Sequence, residues 1–201
     1  MTMQLQARHL SRRPRQRRQG ITLIEILVGL GIIAILMAVA APSMTDLLER
    51  RRVIAAADEV AGLLTYAKAE TNAINSQLFV RFDPDPNRSM SCAAVVTQAL
   101  TNRCRCYYSP TNICPNSTSR LLRLFQLPWE HVRFTAQSSA WNGPTNVIVF
   151  SRDQLTIAAT EFQVNVVGLR KGYALRVEVN PAGRVKICAP SGNMSGYAAC
   201  A

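Results

Sequence analysis

Histidine is nearly missing from this chain: 201 residues contain two, His9 and His131. Imidazole is the commonest general base and metal ligand, so its scarcity removes most routes to acid–base, nucleophilic and metal chemistry. His131 follows Glu130, but adjacent residues on an extended strand face opposite ways, and the pair is read as incidental. There is no glycine-rich phosphate loop, no metal-ligand set and no paired-carboxylate constellation. An enzyme is not expected, nor is any cofactor or metal. Acidic residues are absent from positions 1 to 20 and cysteine from the first 91. Nor is there an internal repeat, and the length suits one core with an appended element.

What is present is unevenly distributed. Lys and Arg total 23 against 12 Asp and Glu, a formal charge of +11. Six of those cations (Arg8, Arg12, Arg13, Arg15, Arg17 and Arg18) lie in the first 20 residues, and the rest of the chain holds 17 basic and 12 acidic residues. Cysteines stand at Cys92, Cys104, Cys106, Cys114, Cys188 and Cys200. An even set confined to the chain beyond residue 91 suggests an oxidising compartment and disulfides, with 15 possible connectivities that sequence does not resolve. A zinc site on Cys104, Cys106 and Cys114 is disfavoured, because closely spaced Cys-x-x-Cys pairs and nearby His are missing.

Ile21 through Ala41 are apolar apart from Thr22 and Glu25. As a helix this stretch spans roughly 30 Å, enough to cross a bilayer. The Arg-rich flank predicts a cytoplasmic N-terminus, with everything after Pro42 on the far side. A carboxylate in hydrocarbon costs about 2.5–3.5 kcal/mol on insertion scales, so Glu25 requires a partner or a function. An ordinary secretory signal cleaved at Ala38-Val39-Ala40 would avoid such a residue; an unprocessed single-pass anchor is the other alternative.

Arg17-Arg18-Gln19-Gly20 followed by Ile21-Thr22-Leu23-Ile24-Glu25 resembles the leader junction of type IV prepilins. The resemblance implies that a prepilin peptidase cleaves after Gly20 and methylates Ile21, although the family more often has Phe there. It also implies that Glu25 pairs with the N-terminal amine of a neighbouring pilin subunit, which would offset the burial cost of both charges.

Beyond Pro42, where a kink or local melting is expected, Met44, Leu47, Leu48, Ile54, Ala57, Val60, Ala61, Leu64 and Ala67 recur at helical spacing. They predict a buried stripe, with Asp46, Glu49, Arg50, Arg51, Arg52, Asp58 and Glu59 solvated opposite it. Strands are predicted at 78–82, 92–96, 121–127, 147–150, 162–166, 173–179 and 184–188, and residues 98–120 read as a cross-linked loop. The expected fold is α+β and type IV pilin-like, with a long N-terminal helix on a mostly antiparallel sheet. The expected organisation is a cleaved leader at 1–20, a helix at 21–76 with its membrane and filament-core part at 21–41, and a periplasmic β-rich domain at 77–201.

Residues 173–188 read as a hairpin around Pro181-Ala182-Gly183. With Gly183 left-handed, Glu178 faces Lys186, Val179 faces Val185 and Val177 faces Ile187. Arg176, Arg184 and Lys186 then share an outer face, and Cys188 with Cys200 could tie the tail back. Gly183-Arg184-Val185-Lys186 resembles the Gly-Arg-any-Arg motif of the FimT branch of the GspH/FimT family of minor pilins and pseudopilins. That resemblance implies nonspecific binding of double-stranded DNA during uptake, with Lys186 keeping the charge but not the planar fork of Arg. The tail's Gly192, Asn193, Ser195, Gly196 and Tyr197 could wrap a strand and offer an aromatic platform. The bland reading makes Gly183 a turn residue, Lys186 a partner of Glu178, and the Arg170-Lys171 pair part of a turn. The rival function is a GspH-type pseudopilin of type II secretion.

Overall fold

The computed structural model describes residues 20–83, 85–97, 104–114, 119–138, 146–152 and 161–200. Helix α1 runs over Leu23–Ile74, and its helical backbone continues through Pro42 without local melting. The chain divides into two compact units, one ending at Pro42 and the other beginning at Ser43. In the first, Leu23–Ala40 is long and apolar enough to cross a membrane, and none of it is buried within the chain.

The second unit is built on one stripe of α1. Val53, Ala56, Ala57, Val60, Leu63, Leu64 and Ala67 are buried, spaced three and four apart as a single helical face requires. Among the described residues eight strands follow: β1 Leu78–Arg81, β2 Met90–Val96, β3 Leu121–Pro128, β4 Val132–Ser138, β5 Val147–Phe150, β6 Phe162–Gly168, β7 Ala174–Val179 and β8 Val185–Cys188. They form two antiparallel four-stranded sheets, ordered β3-β2-β1-β5 and β4-β6-β7-β8, where one sheet was expected. The division comes at the β3–β4 turn. There Trp129 donates its indole N–H to Ser91 Oγ at 2.6 Å, and the same oxygen accepts the Phe134 amide at 2.9 Å.

Strand β4 is missing from the sequence expectation, although Val132, Phe134 and Ala136 alternate with Arg133, Thr135 and Gln137 as a half-buried strand should. Leu78, Val80, Ala93, Val95, Ile148 and Phe150 from the first sheet meet Phe134, Phe162, Val164, Val166, Leu175 and Val177 from the second in one core with the helix stripe. Phe125 stacks on Phe134 with ring centroids 5.3 Å apart.

The first sheet is covered on its other face as well. Phe79, Ala94, Val96 and Leu124 pack with Ile113 under a loop closed by Cys92–Cys106 and Cys104–Cys114. Asp83 lies buried at its root, accepting the Cys106 amide at 3.2 Å and pairing with Arg81 at 3.2 Å and Arg105 at 3.5 Å. The disulfides supply what a polar, Asn-rich loop lacks in apolar area.

Two assignments along α1 are corrected. Met44, Leu47 and Leu48 are exposed, whereas Glu49 is buried at 3% exposure. Glu49 occupies the stripe four residues before Val53. Its Oε1 accepts the amides of Arg170 and Lys171, each at 2.9 Å, and Oε2 accepts Lys171 again at 3.1 Å. A buried carboxylate is tolerable when backbone donors satisfy it in this way. The fit leaves no room at Gly168, where a Cβ would stand 2.3 Å from Glu49 Oε1.

Candidate functional site

Two places carry the residues singled out by sequence: the start of α1 and the β7–β8 hairpin. At the first, Gly20, Ile21 and Thr22 precede the helix in irregular backbone. Ile21 is 72% exposed, so the Gly20–Ile21 bond lies where a protease could reach it. Thr22 caps the helix, its Oγ1 accepting the Glu25 amide at 3.3 Å and its carbonyl accepting the amides of Glu25 and Ile26 at 3.1 and 3.3 Å. Glu25 is thus the third helical residue, where the unpaired amides of the first turn favour an anion. A Cβ on Gly20 would meet nothing within 4 Å. The folded chain itself therefore places no demand for glycine there, in contrast to Gly168.

The hairpin has the register its sequence predicts: Val177 opposite Ile187, Glu178 opposite Lys186 and Val179 opposite Val185. Gly183 adopts φ +67°, a conformation open to glycine at little cost. The loop closes through the Gly183 amide to the Asn180 carbonyl at 2.8 Å and the Arg184 amide to Asn180 Oδ1 at 2.8 Å. Lys68, from the last third of α1, donates to the carbonyls of Ala182 and Gly183 at 3.2 and 3.1 Å. The motif turn is therefore fastened to the helix, by a contact that sequence spacing did not reveal.

The outer face of the second sheet is largely polar. Thr135 and Gln137 of β4, Gln163 and Asn165 of β6, Arg176 and Glu178 of β7, and Lys186 of β8 line up across the strands. Arg184 and Lys186 are exposed, and neither makes a side-chain hydrogen bond or ion pair among the described residues. Arg176 differs. Its Nε donates to Asn165 Oδ1 at 3.0 Å and its Nη1 lies 3.8 Å from Glu178 Oε1. The structure thus separates the three cations into one held in the sheet and two presented at its edge.

Cys188 and Cys200 are joined, and the intervening tail is a packed element. Met194 is 1% exposed, and Tyr197 is half-buried against the core, where desolvation followed by the nearby Asp58 raises its phenol above the ordinary value. Ser195 is held by Arg50 through both its carbonyl and its hydroxyl. Asn193 donates to the Gly172 carbonyl at 3.0 Å. Tyr197 is therefore no open stacking platform, a correction to the sequence expectation. Arg170 and Lys171 form the β6–β7 turn seated on Glu49.

Clustered acids elsewhere are already engaged. A cavity of about 420 Å³ lined by Phe82, Asp83, Asp85, Arg88, Trp129 and Phe134 contains two carboxylates, both occupied by the chain's own donors. Asp85 accepts Ser89 N at 2.8 Å and Asn87 N at 3.1 Å, and Ser89 holds its carboxyl below the ordinary value. Glu178 lies close to Cys188 and Cys200, but thiols bonded to each other offer no thiolate to a metal.

A family model described as the prokaryotic N-terminal methylation motif matches residues 15–41. None of the curated proteins matches the chain. Among solved structures, the type IV minor pilin FimU of Pseudomonas aeruginosa strain PAO1 is similar over 69% of this chain and 90% of its own, with 15% identity and a TM-score of 0.45. At that level of likeness no function is transferred. The matched segment spans Gly20, Ile21, Glu25 and the apolar start of α1.

Proposed function

We propose, from the prokaryotic N-terminal methylation motif over residues 15–41, that this chain is a minor pilin of a type IV pilus. In this reading a prepilin peptidase removes residues 1–20 and methylates Ile21. The apolar half of α1 holds the subunit in the inner membrane with the β-rich unit in the periplasm, and then packs among other pilin subunits in the filament. The observation that carries the reading is the coincidence at one junction of the motif match over 15–41, an exposed Gly20–Ile21 bond and a glycine that the fold itself does not need. Glu25 would serve assembly, its carboxylate receiving the methylated amine of a neighbouring subunit. Opposite charges in a low-dielectric surround offset each other's desolvation.

The finer part of the proposal is that the β7–β8 edge binds duplex DNA. Arg184 and Lys186 supply two exposed cations at a hairpin whose loop is fixed by Asn180 and Lys68, suited to phosphate contact without base readout. Arg176 contributes through the sheet rather than by direct contact. The test is binding of fluorescent duplex DNA to the detergent-solubilised full chain at low and moderate salt. Affinity should fall with salt and drop several-fold in Arg184→Gln/Lys186→Gln. Equal affinity in the variant would remove this edge from DNA handling. The alternative, a GspH-type pseudopilin of type II secretion, makes no use of those two cations, so a chain that binds no DNA at either salt favours it.

A further inference from the structure

The second unit carries an unexplained surface at the end where the chain enters it. Met44, Leu47 and Leu48 are 59%, 52% and 43% exposed, and Arg51 follows on the same helical stripe, at i, i+3, i+4 and i+7. On the opposite, buried side of the same stretch of α1, Glu49 seats the β6–β7 turn, whose Leu169 is 41% exposed and whose Arg170 and Lys171 are also exposed. The nearby acids have oxygens engaged by neutral donors and form no ion pair with these cations. Glu49 is buried under the turn's amides, and Asp46 accepts the Tyr173 hydroxyl at 2.8 Å. Among the described residues, no ion pair engages Arg51, Arg170 or Lys171.

We propose that this end of the unit is a seat for anionic phospholipid headgroups: Met44, Leu47, Leu48 and Leu169 enter the interfacial layer while Arg51, Arg170 and Lys171 contact lipid phosphates. Exposed apolar side chains on both sides of α1 at one end of the unit, together with exposed cations outside any ion pair, are the composition that binds such a surface. The chain brings it there. The apolar window of α1 closes at Ala40, four residues before Met44. The turn is pre-set for the task, because Glu49 fixes its backbone and Gly168 permits the close approach. The seat would hold the anchored subunit against the bilayer before it joins a filament. This inference rests on the membrane-anchored reading of α1 and adds a second, peripheral contact to it.

The test uses the full chain in nanodiscs of phosphatidylcholine alone or mixed with phosphatidylglycerol, with photoreactive p-benzoylphenylalanine in place of Leu169. Adducts are identified by mass spectrometry. The expected result is a phospholipid adduct that depends on phosphatidylglycerol and falls at least about fivefold in Arg51→Gln/Arg170→Gln/Lys171→Gln. It should persist in Arg120→Gln/Arg184→Gln/Lys186→Gln, which removes the same charge from elsewhere. Nanodisc-incorporated chain that gives no lipid adduct, equal labelling in the two lipids, or an adduct to a second copy of the chain overturns the seat while leaving the anchor standing. A chain that does not enter nanodiscs overturns the anchor and the seat together.

Discussion

The two halves of α1 share one helix and meet different surroundings. From Leu23 to Val39 the large apolar side chains are at least half exposed, whereas from Val53 to Ala67 Val53, Val60, Leu63 and Leu64 have no exposed surface. The first half is apolar all round, so no single face could satisfy it, and its natural surround is lipid or other apolar helices. The second half is apolar on one stripe and polar elsewhere, which is what docking on a sheet requires. One continuous helix therefore does two jobs because both its hydrophobicity and its periodicity change along its length.

The comparison breaks most visibly under truncation of a leucine. Leu64→Ala should lower the unfolding free energy of the second unit by about 2–5 kcal/mol, the range for a fully buried leucine, measured by denaturant titration of the detergent-solubilised chain. In the first half the effect should move from stability to assembly. Leu27→Ala and Glu25→Ala should leave that transition within about 0.5 kcal/mol of the parent, yet Glu25→Ala should be missing from sheared filaments. Normal incorporation of Glu25→Ala would end the assembly role of the carboxylate.

A polar residue on the buried stripe sharpens the contrast. Glu49→Ala strands the amides of Arg170 and Lys171 and should cost about 1–3 kcal/mol, with hydrogen exchange accelerated at the β6–β7 turn. Unchanged protection there would mean that water replaces the carboxylate without penalty. The smallest effect is expected at Asp85. Hydrogen bonds from Ser89 hold its folded-state carboxyl below the ordinary value of 3.8. Its contribution is therefore present above pH 4 and is lost as pH falls through the lowered folded value. Asp85→Asn should flatten this part of the acid limb, and an unchanged slope in the variant would exclude Asp85 as its source.

Much of this was legible in the chain. The hairpin register followed from alternating valines and one glycine, since a shift of one residue would have mixed the faces. The stripe from Ala57 to Ala67 followed from helical spacing. Glu49 was misread because charge argues for solvent, yet its position four residues before Val53 was the available signal. Met44, Leu47 and Leu48 were misread for the converse reason: apolar character argues for burial, but their side of the helix meets no strand. Strand β4 was passed over despite clean alternation, because Arg133 and Gln137 dilute its apolar content. The disulfide pairing, the division into two sheets and the grip of Lys68 on the hairpin depend on long-range packing that local pattern does not encode.

The most direct test of the account is the N-terminal mass of the protein extracted from membranes of cells that express a prepilin peptidase, with a peptidase-lacking strain alongside. The account predicts a chain beginning at N-methylated Ile21 in the first and an intact leader in the second. A leader retained in both strains, or a chain beginning at Ala41 after cleavage behind Ala40, would contradict it.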